Sequence, residues 1–316
     1  MIRPGVALSS VRDQAVTIFW GDDPAAYLGY RFLEGSPRTQ SDAFLDHSGQ
    51  PASGAQERPA FDSPPLSPEA ADPWGKSWLA AYQEADPSAP TQLAFQAYAD
   101  GSAWLRLRSS AVAGPWEMYF RPEENGVRLW LRLAAHAAIE GAYCLQQCLR
   151  FTGGVNAAWR RDIAQMPYLS ELDMQAMGNP NGTLTFVRQE GRWARFPVGH
   201  TTYVTPAGKR FREKAGGPAC DQGLVVRETV ERGLAPDWYW ERVAPAARWE
   251  RVAAGIYWER TAWVCNRHPA DCVHAWVDVG PLEAGETRNL HGKIYFLEGD
   301  KNDLLEAWRA DFPSPD

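Results

Sequence analysis

The chain has 316 residues, with 32 basic and 39 acidic side chains and a formal net charge of −7. This balance argues against a nucleic-acid-binding protein, because phosphate recognition needs a basic surface. Apolar residues make up 45% of the chain and charged residues 22%, which excludes a wholly disordered chain or a fibre. The 15 tryptophans, 27 glycines and 24 prolines suit many short strands joined by turns.

Targeting signals and cysteine usage indicate the cellular compartment. The segment MIRPGVALSS has no basic region followed by an apolar one, and no run of about 18 apolar residues occurs, so we expect neither a cleaved secretion signal nor a membrane span. The five cysteines form an odd set without a CxxC pair, which favours reduced thiols, a cytoplasmic location and no structural metal. They are Cys144, Cys148, Cys220, Cys265 and Cys272.

Composition divides the chain into three parts of one domain. Residues 1–33 contain a predicted strand over 15–20 and a second aromatic segment near 27–32. Residues 34–75 are rich in Pro, Ser and Gly, which sustains neither a helix nor a ladder. This stretch is either a surface loop or an arm draped over the body or over a second copy of the chain. Residues 76–316 form the predicted body.

The body is dominated by strand signals. Strand-like segments on either side of turns that contain glycine predict three hairpins, and the second also shows period-two alternation in both arms. The predicted hairpins are 91–98 with 103–108, 116–121 with 128–133, and 183–188 with 192–196. Further strands are predicted at 143–151, 224–230, 237–242, 247–251, 255–265, 272–278 and 290–297.

Helical signals are few. A short helix is predicted over 170–177, after the capping-type residue Ser170. A longer one over 301–312 has an apolar stripe at spacings of three and four, and we expect it to pack on the edge of a sheet. The sequence therefore predicts a mainly β fold, a large antiparallel β-sandwich or supersandwich with a few short helices and a C-terminal helix.

The predicted strand over 272–278 carries the most reactive set of side chains. Alternation places small aliphatic side chains on its core face and His274, Trp276 and Asp278 on the other face, with Cys272. An imidazole, a carboxylate and an indole suit general acid–base chemistry beside a ring that stacks on a sugar. The alternative is a solvated outer face with a chance histidine.

A metal site is a weaker alternative for the same stretch. His268, Asp271, Cys272 and His274 include possible ligands, but their spacing matches no family of metal sites. Glycine-rich phosphate motifs and a GxSxG elbow do not occur in the sequence, so we expect no nucleotide cofactor and no serine hydrolase. The sequence predicts neither a metal nor a cofactor.

Two further strands offer polar groups. On the strand over 143–151, Gln146 and Arg150 project to one side and suit hydrogen bonds to hydroxyls or a grip on a carboxylate, although a plain polar outer face explains them equally. Glu228 shares an apolar face of its strand, so it is paired, displaced by a bulge or functional, whereas Arg227 lies on the other side.

Aromatic residues and loops supply the remaining candidates. The triplet Trp-Glu-Arg recurs at Trp240, Trp249 and Trp258, which indicates either a carbohydrate groove or cross-strand pairs on a sheet exterior. Trp263 is a second candidate stacking ring. Arg160 and His200 lie in segments that a loop or a cleft mouth could present to a ligand.

The C-terminal segment resembles a known group. A Leu-x-x-Gly-Glu turn within 280–287, followed by a long strand from 290, is similar to the end of a galactose-mutarotase-like β-supersandwich. Proteins of this group bind sugars or uronates on a concave sheet and include epimerases, lyases and hydrolases. The resemblance implies a sugar-facing sheet here. It does not extend to the paired histidines and late glutamate of an aldose epimerase.

Three hypotheses follow for function. The first is a carbohydrate-active enzyme acting on a sugar or uronate, with His274 as acid or base and Asp278 or Glu228 as its partner. The second is a non-catalytic β-sandwich that binds a glycan or a partner protein through an aromatic surface. The third is a barrel that holds an apolar ligand in a closed cavity. The first assigns substrate binding to Trp276, Trp263, Arg150, Gln146, Arg227, Trp240, Arg160 and His200.

Overall fold

The computed structural model describes twelve stretches of the chain, and these form two antiparallel sheets and a helix. The predicted mainly β fold is confirmed. The described residues are 4–10, 15–20, 27–32, 38–39, 91–98, 100–109, 114–150, 185–196, 201–208, 217–228, 252–267 and 272–313.

Within these residues the first sheet has eight strands. They are β1 (Pro4–Ser10), β2 (Ala15–Trp20), β3 (Tyr27–Arg31), β4 (Arg38–Thr39), β9 (Tyr143–Arg150), β12 (Thr201–Val204), β15 (Thr261–Arg267) and β16 (Cys272–Asp278). Their spatial order is β1, β2, β3, β9, β16, β15, β12, and β4 also pairs with β9. The centre of this sheet therefore joins strands that are far apart in the chain.

The second sheet has nine strands in the described part of the chain. They are β5 (Thr91–Ala97), β6 (Ala103–Ser109), β7 (Trp116–Glu123), β8 (Gly126–Ala134), β10 (Thr185–Gln189), β11 (Arg192–Arg195), β13 (Val225–Glu228), β14 (Val252–Trp258) and β17 (Thr287–Glu298). Their order is β11, β10, β13, β14, β17, β8, β7, β6, β5.

The inner faces of the two sheets share one hydrophobic core, which makes the fold a β-sandwich. The second predicted hairpin forms β7 and β8, and its apolar set, including Met118 and Leu131, is fully buried. Val273, Ala275 and Val277 of β16 enter the same core from the opposite sheet. Alternation along the sequence therefore identified the correct faces of these strands.

The three predicted hairpins all form. The turn between β5 and β6 uses Gly101 at φ 85°, and the turn between β10 and β11 uses Gly191 at φ 73°. Positive φ is a conformation that glycine adopts without steric cost, which is why Asp-Gly and Glu-Gly marked these turns in the sequence.

Two strand predictions need correction. The single strand expected over 255–265 is wrong, because β14 and β15 are separate strands joined at Glu259 and Arg260. Arg260 adopts φ 58°, and its guanidinium donates to the carbonyl oxygens of Asp278 and Gly280. The turn thus relies on long-range hydrogen bonds instead of a turn-forming residue. The stretch 34–75 also contributes to a ladder, since Arg38–Thr39 forms β4.

The C-terminal helix α1 (Lys301–Asp311) forms as predicted, but it packs on a face of the nine-stranded sheet instead of an edge. Its buried residues Leu304, Leu305 and Trp308 contact an apolar patch that includes Val226 and Tyr295. This part of the sheet exterior is apolar, so a covering helix removes it from water. In the described part of the chain, α1 is too short and too polar to cross a membrane. The strands expected at 237–242 and 247–251 and the helix at 170–177 lie outside the described residues.

Candidate functional site

Three central strands of the eight-stranded sheet bring several predicted site residues together on one face. Cross-strand register aligns Gln146, Trp276 and Trp263 in one row. The next row aligns Cys148, His274 and Cys265. These side chains alternate with the core residues of β9 and β16, so they lie on the outer face of the sheet. We call these six residues the outer-face cluster.

Two indoles of the outer-face cluster stack on each other. The ring centroids of Trp263 and Trp276 are 5.1 Å apart at an interplanar angle of 24°. Trp263 is 1% exposed and Trp276 is 8% exposed. The stack is therefore almost fully buried, and Trp276 carries most of its exposed surface.

His274 is buried and contacts a thiol. Its Nδ1 lies 3.5 Å from Cys265 Sγ, across the ladder between β15 and β16. Asp278, the carboxylate predicted as its partner, is four residues further along the same strand. That spacing separates the two Cα atoms by about 13 Å, too far for a direct hydrogen bond between the side chains. The sequence did not indicate the contact between His274 and Cys265, because the single strand predicted over 255–265 did not separate β15, which contains Cys265, from β14.

Asp278 is a buried carboxylate fixed by other groups. It is 1% exposed, and its Oδ1 accepts hydrogen bonds from the backbone N–H groups of Tyr143 at 3.0 Å and Gly280 at 3.1 Å. Arg260 Nη2 lies 3.5 Å from Asp278 Oδ2. Asp278, on the same strand as His274, thus forms an ion pair with Arg260 outside the outer-face cluster, and Arg260 is a residue that the sequence interpretation missed.

The two polar candidates of β9 lie on its outer face, on either side of Cys148. Gln146 is 2% exposed and pairs in register with Trp276. Arg150 pairs with Cys272 of β16 and with Gly29 of β3, one row beyond Cys148. The backbone therefore places Arg150 next to the outer-face cluster, although its side chain lies outside the described residues.

Glu228 and Arg227 belong to the other sheet. Glu228 Oε1 accepts from the backbone N–H of Lys301 at 2.6 Å and from Lys301 Nζ at 3.1 Å, so it sits at the positive N-terminal end of α1. Of the three explanations for a carboxylate on this face, pairing is the one found. Arg227 is 3% exposed, and its Nε donates to Thr185 Oγ1 at 3.2 Å. The structure does not bring either residue to His274.

Most of the remaining aromatic and loop candidates lie outside the described residues. Trp240, Arg160 and His200 lie outside the described residues, as does Trp249. Trp258, the third tryptophan of the recurring triplet, is fully buried in the core between the sheets. This member of the triplet therefore serves packing.

A second aromatic surface lies on the outer face of the nine-stranded sheet. Cross-strand register aligns Trp104, Tyr119, Trp130 and His291, which we call the aromatic strip. The ring centroids of Tyr119 and Trp130 are 5.4 Å apart, and the guanidinium of Arg121 lies 4.8 Å from the Trp130 centroid. Trp130 and Tyr119 are half-buried. The alternation of the second hairpin already placed both rings opposite the core residues.

Metal binding finds no support in the part of the chain that the structure describes. No three Cys, His, Asp or Glu side chains there are arranged to hold a metal ion. His268 and Asp271, two of the ligands considered from the sequence, lie outside the described residues.

The fold and the outer-face cluster define the class of protein. It is a two-sheet antiparallel β-sandwich with a buried polar and aromatic cluster on the face of one sheet that points away from the core. No family model matches the sequence, and no curated protein matches it with significant similarity.

Proposed function

We propose that the protein is a carbohydrate-active enzyme that acts on a sugar or uronate by proton transfer at the outer-face cluster. The observation that carries this proposal is the alignment of His274, Trp276 and Gln146 in adjacent rows of one sheet face. An acid–base group, an indole and an amide are the three kinds of group needed to move a proton, stack on a sugar ring and bond its hydroxyls.

Each residue has a defined role in this proposal. His274 takes a proton from, or gives one to, a sugar carbon or oxygen. Trp276 provides the stacking ring, and Gln146 bonds a hydroxyl group. Arg150 is the candidate clamp for a uronate carboxylate, since its backbone lies one row beyond His274. An epimerase, a lyase and a hydrolase all require such a proton transfer, so the reaction type stays open among these three.

The first test is turnover in deuterated water. The wild-type protein is incubated with neutral aldoses and hexuronates in D₂O, and proton NMR follows epimers, unsaturated products, hydrolysis and exchange of C–H for C–D. We expect the His274→Asn variant to lose at least about 100-fold of the rate, because general acid–base groups contribute on that order.

A matched control comes from a second histidine. His136 is exposed in the turn after β8, and His136→Asn should retain wild-type turnover. If His274→Asn turns over every accepted sugar at the wild-type rate, the assignment of His274 is wrong. If the wild-type protein acts on none of the sugars, the catalytic proposal itself fails.

The aromatic strip supports a second candidate function. Tyr119 and Trp130 of the strip are half-buried on a sheet exterior, and Arg121 packs over Trp130. Such a strip suits non-catalytic binding of a glycan or a partner protein, because rings stack on sugars and cations bond hydroxyls or carboxylates. In this case variants at Trp130 would abolish binding and variants at His274 would not.

Location and association complete the proposal. The odd cysteine count and its spacing favour a reducing, cytoplasmic compartment. Association of two copies through residues 34–75 stays a prediction from composition.

A further inference from the structure

The contact between Cys265 and His274 adds nucleophilic chemistry to the outer-face cluster. Cys265 Sγ and His274 Nδ1 are 3.5 Å apart and belong to register partners on neighbouring strands. When Nδ1 carries no proton, the thiol donates to it, and the imidazole can accept the thiol proton. The thiolate that results is the nucleophilic form of cysteine.

We propose that Cys265 and His274 form a thiol–imidazole pair that attacks an electrophilic carbon of a small molecule on this face. The proton of Sγ moves to Nδ1, and a sulfur electron pair forms a new S–C bond. The bond from that carbon to its leaving group breaks at the same time, and the leaving group departs with the bonding electrons. This reactivity belongs to the pair itself, so the inference does not require a sugar to be the substrate.

Four cysteines have described side chains, and all four are buried, with Cys265 the least so. Cys265 is 7% exposed, whereas Cys144 and Cys148 are fully buried and Cys220 is 4% exposed. Burial raises the pKa of the Cys220 thiol to about 12, so this thiol is protonated at neutral pH. Cys144 and Cys220 provide comparison sites outside the outer-face cluster, and Cys148 provides one inside it.

The adjoining row narrows the class of ligand. The Trp263–Trp276 stack lies one row from the pair, so the electrophile best suited to this face carries a flat or ring-shaped apolar surface next to its reactive carbon. A small electrophile without such a surface still tests the nucleophile, because its reaction depends on the thiolate alone.

Alkylation of the folded wild-type protein with iodoacetamide at neutral pH tests the proposal. Samples are quenched over time and digested, and mass spectrometry measures carbamidomethylation at each cysteine. We expect Cys265 to react at least about 10-fold faster than Cys144, Cys148 and Cys220, since His274 Nδ1 lies 3.5 Å from its Sγ and can take the proton as the new S–C bond forms. A rate for Cys265 equal to or below those of the other three overturns the proposal.

A pair of variants separates proton transfer from accessibility. His274→Asn keeps a polar group near the position of Nδ1 but cannot take up the proton, so Cys265 alkylation should slow about 10-fold. His136→Asn replaces an exposed histidine that is remote from the cluster in sequence, so it should leave the Cys265 alkylation rate unchanged. If Cys265 is alkylated at the wild-type rate in folded His274→Asn, the proposed thiol–imidazole pair is refuted.

The ranking of cysteine alkylation rates in the wild-type protein tests whether Cys265 is the nucleophile even if His274→Asn does not fold. The assay contains no sugar, so its failure is distinct from a failure of the carbohydrate proposal. Fast alkylation of Cys265 in a protein that turns over no sugar would support the nucleophile and reject the proposed substrate class.

Discussion

Gly292 shows how closely the side chains of β14 and β17 are fitted in the core. A Cβ atom on Gly292 would lie 2.5 Å from Cδ2 of Trp258 and 2.7 Å from the carbonyl oxygen of Tyr257. Trp258 is fully buried, so its ring has little room to move. The absent side chain at Gly292 is therefore what allows Trp258 to fill this part of the core.

We expect Gly292→Ala to lower the free energy of unfolding by about 1–3 kcal/mol, because it overpacks a filled core. A loss of stability would be informative, since alanine in a strand interior is ordinarily more favourable than glycine by about 0.5–1 kcal/mol. Urea denaturation measures the change. The penalty should shrink when Gly292→Ala is combined with Trp258→Leu, and a Gly292→Ala protein as stable as wild type would contradict this packing.

Single residues also mark where sequence interpretation stops. Alternation correctly placed His274 and Trp276 on the face opposite the core, because that pattern is local to one strand. The contact with Cys265 and the ion pair with Arg260 depend on a turn at 259–260 that contains neither glycine nor proline. Residue types alone could not reveal that turn, so neither partner was identified.

At the scale of elements, α1 is fixed to the sheet at both ends. At its start, the backbone N–H and Nζ of Lys301 donate to Glu228 of β13, and the Asp300 side chain caps the helix by accepting from the N–H groups of Asn302 and Asp303. Towards its end, Asp311 accepts from Arg128, from Lys293 at 2.8 Å and from Tyr295 at 3.0 Å. The acidic start and the apolar stripe of this helix could be predicted. The Asp311 contacts could not, because they join β8 and β17 to a helix across the sheet.

Glu123 extends this charged cluster on β7. Its carboxylate lies 2.8 Å from Arg121, 2.9 Å from Lys293 and 3.2 Å from Arg128. Burial alone would raise the pKa of Glu123, but hydrogen bonds from Arg121, Lys293 and Arg128 outweigh it and lower the pKa from 4.5 to about 2. The ionised carboxylate therefore stabilises the folded state.

The lowered pKa predicts how stability depends on pH. Since the folded value is below the unfolded one, the stabilisation is present above pH 4.5 and is lost as pH falls towards about 2. At pH 6 we expect Glu123→Gln to be less stable than wild type by about 1–3 kcal/mol. Urea midpoints from pH 6 down to pH 2.5 should show this difference narrowing.

The neighbouring residue serves as the control. Glu124→Gln, at an exposed position in the turn between β7 and β8, should change the midpoint little at any pH. A stability difference for Glu123→Gln that persists unchanged at low pH would show that its carboxylate does not contribute through ionisation.

At the scale of the whole molecule, the fold class was readable from sequence and the strand order was not. Each hairpin is encoded by adjacent strands and a short turn, so local pattern suffices. The centre of the eight-stranded sheet instead pairs β9 with β16, more than a hundred residues later in the chain. That pairing places Gln146 beside Trp276, so the candidate site exists only through a long-range contact that periodicity does not encode.

The central claim is that ligand chemistry belongs to the outer-face cluster and not to the aromatic strip. Calorimetric titration measures it most directly, using the monosaccharide or uronate that most changes wild-type tryptophan fluorescence. We expect Trp276→Phe to weaken binding about 10-fold, which corresponds to about 1.4 kcal/mol, and Trp130→Phe to bind like wild type. Both variants should first show cooperative thermal unfolding. Weakened binding in Trp130→Phe with unchanged affinity in Trp276→Phe, or no binding of any sugar by the wild-type protein, would contradict the claim.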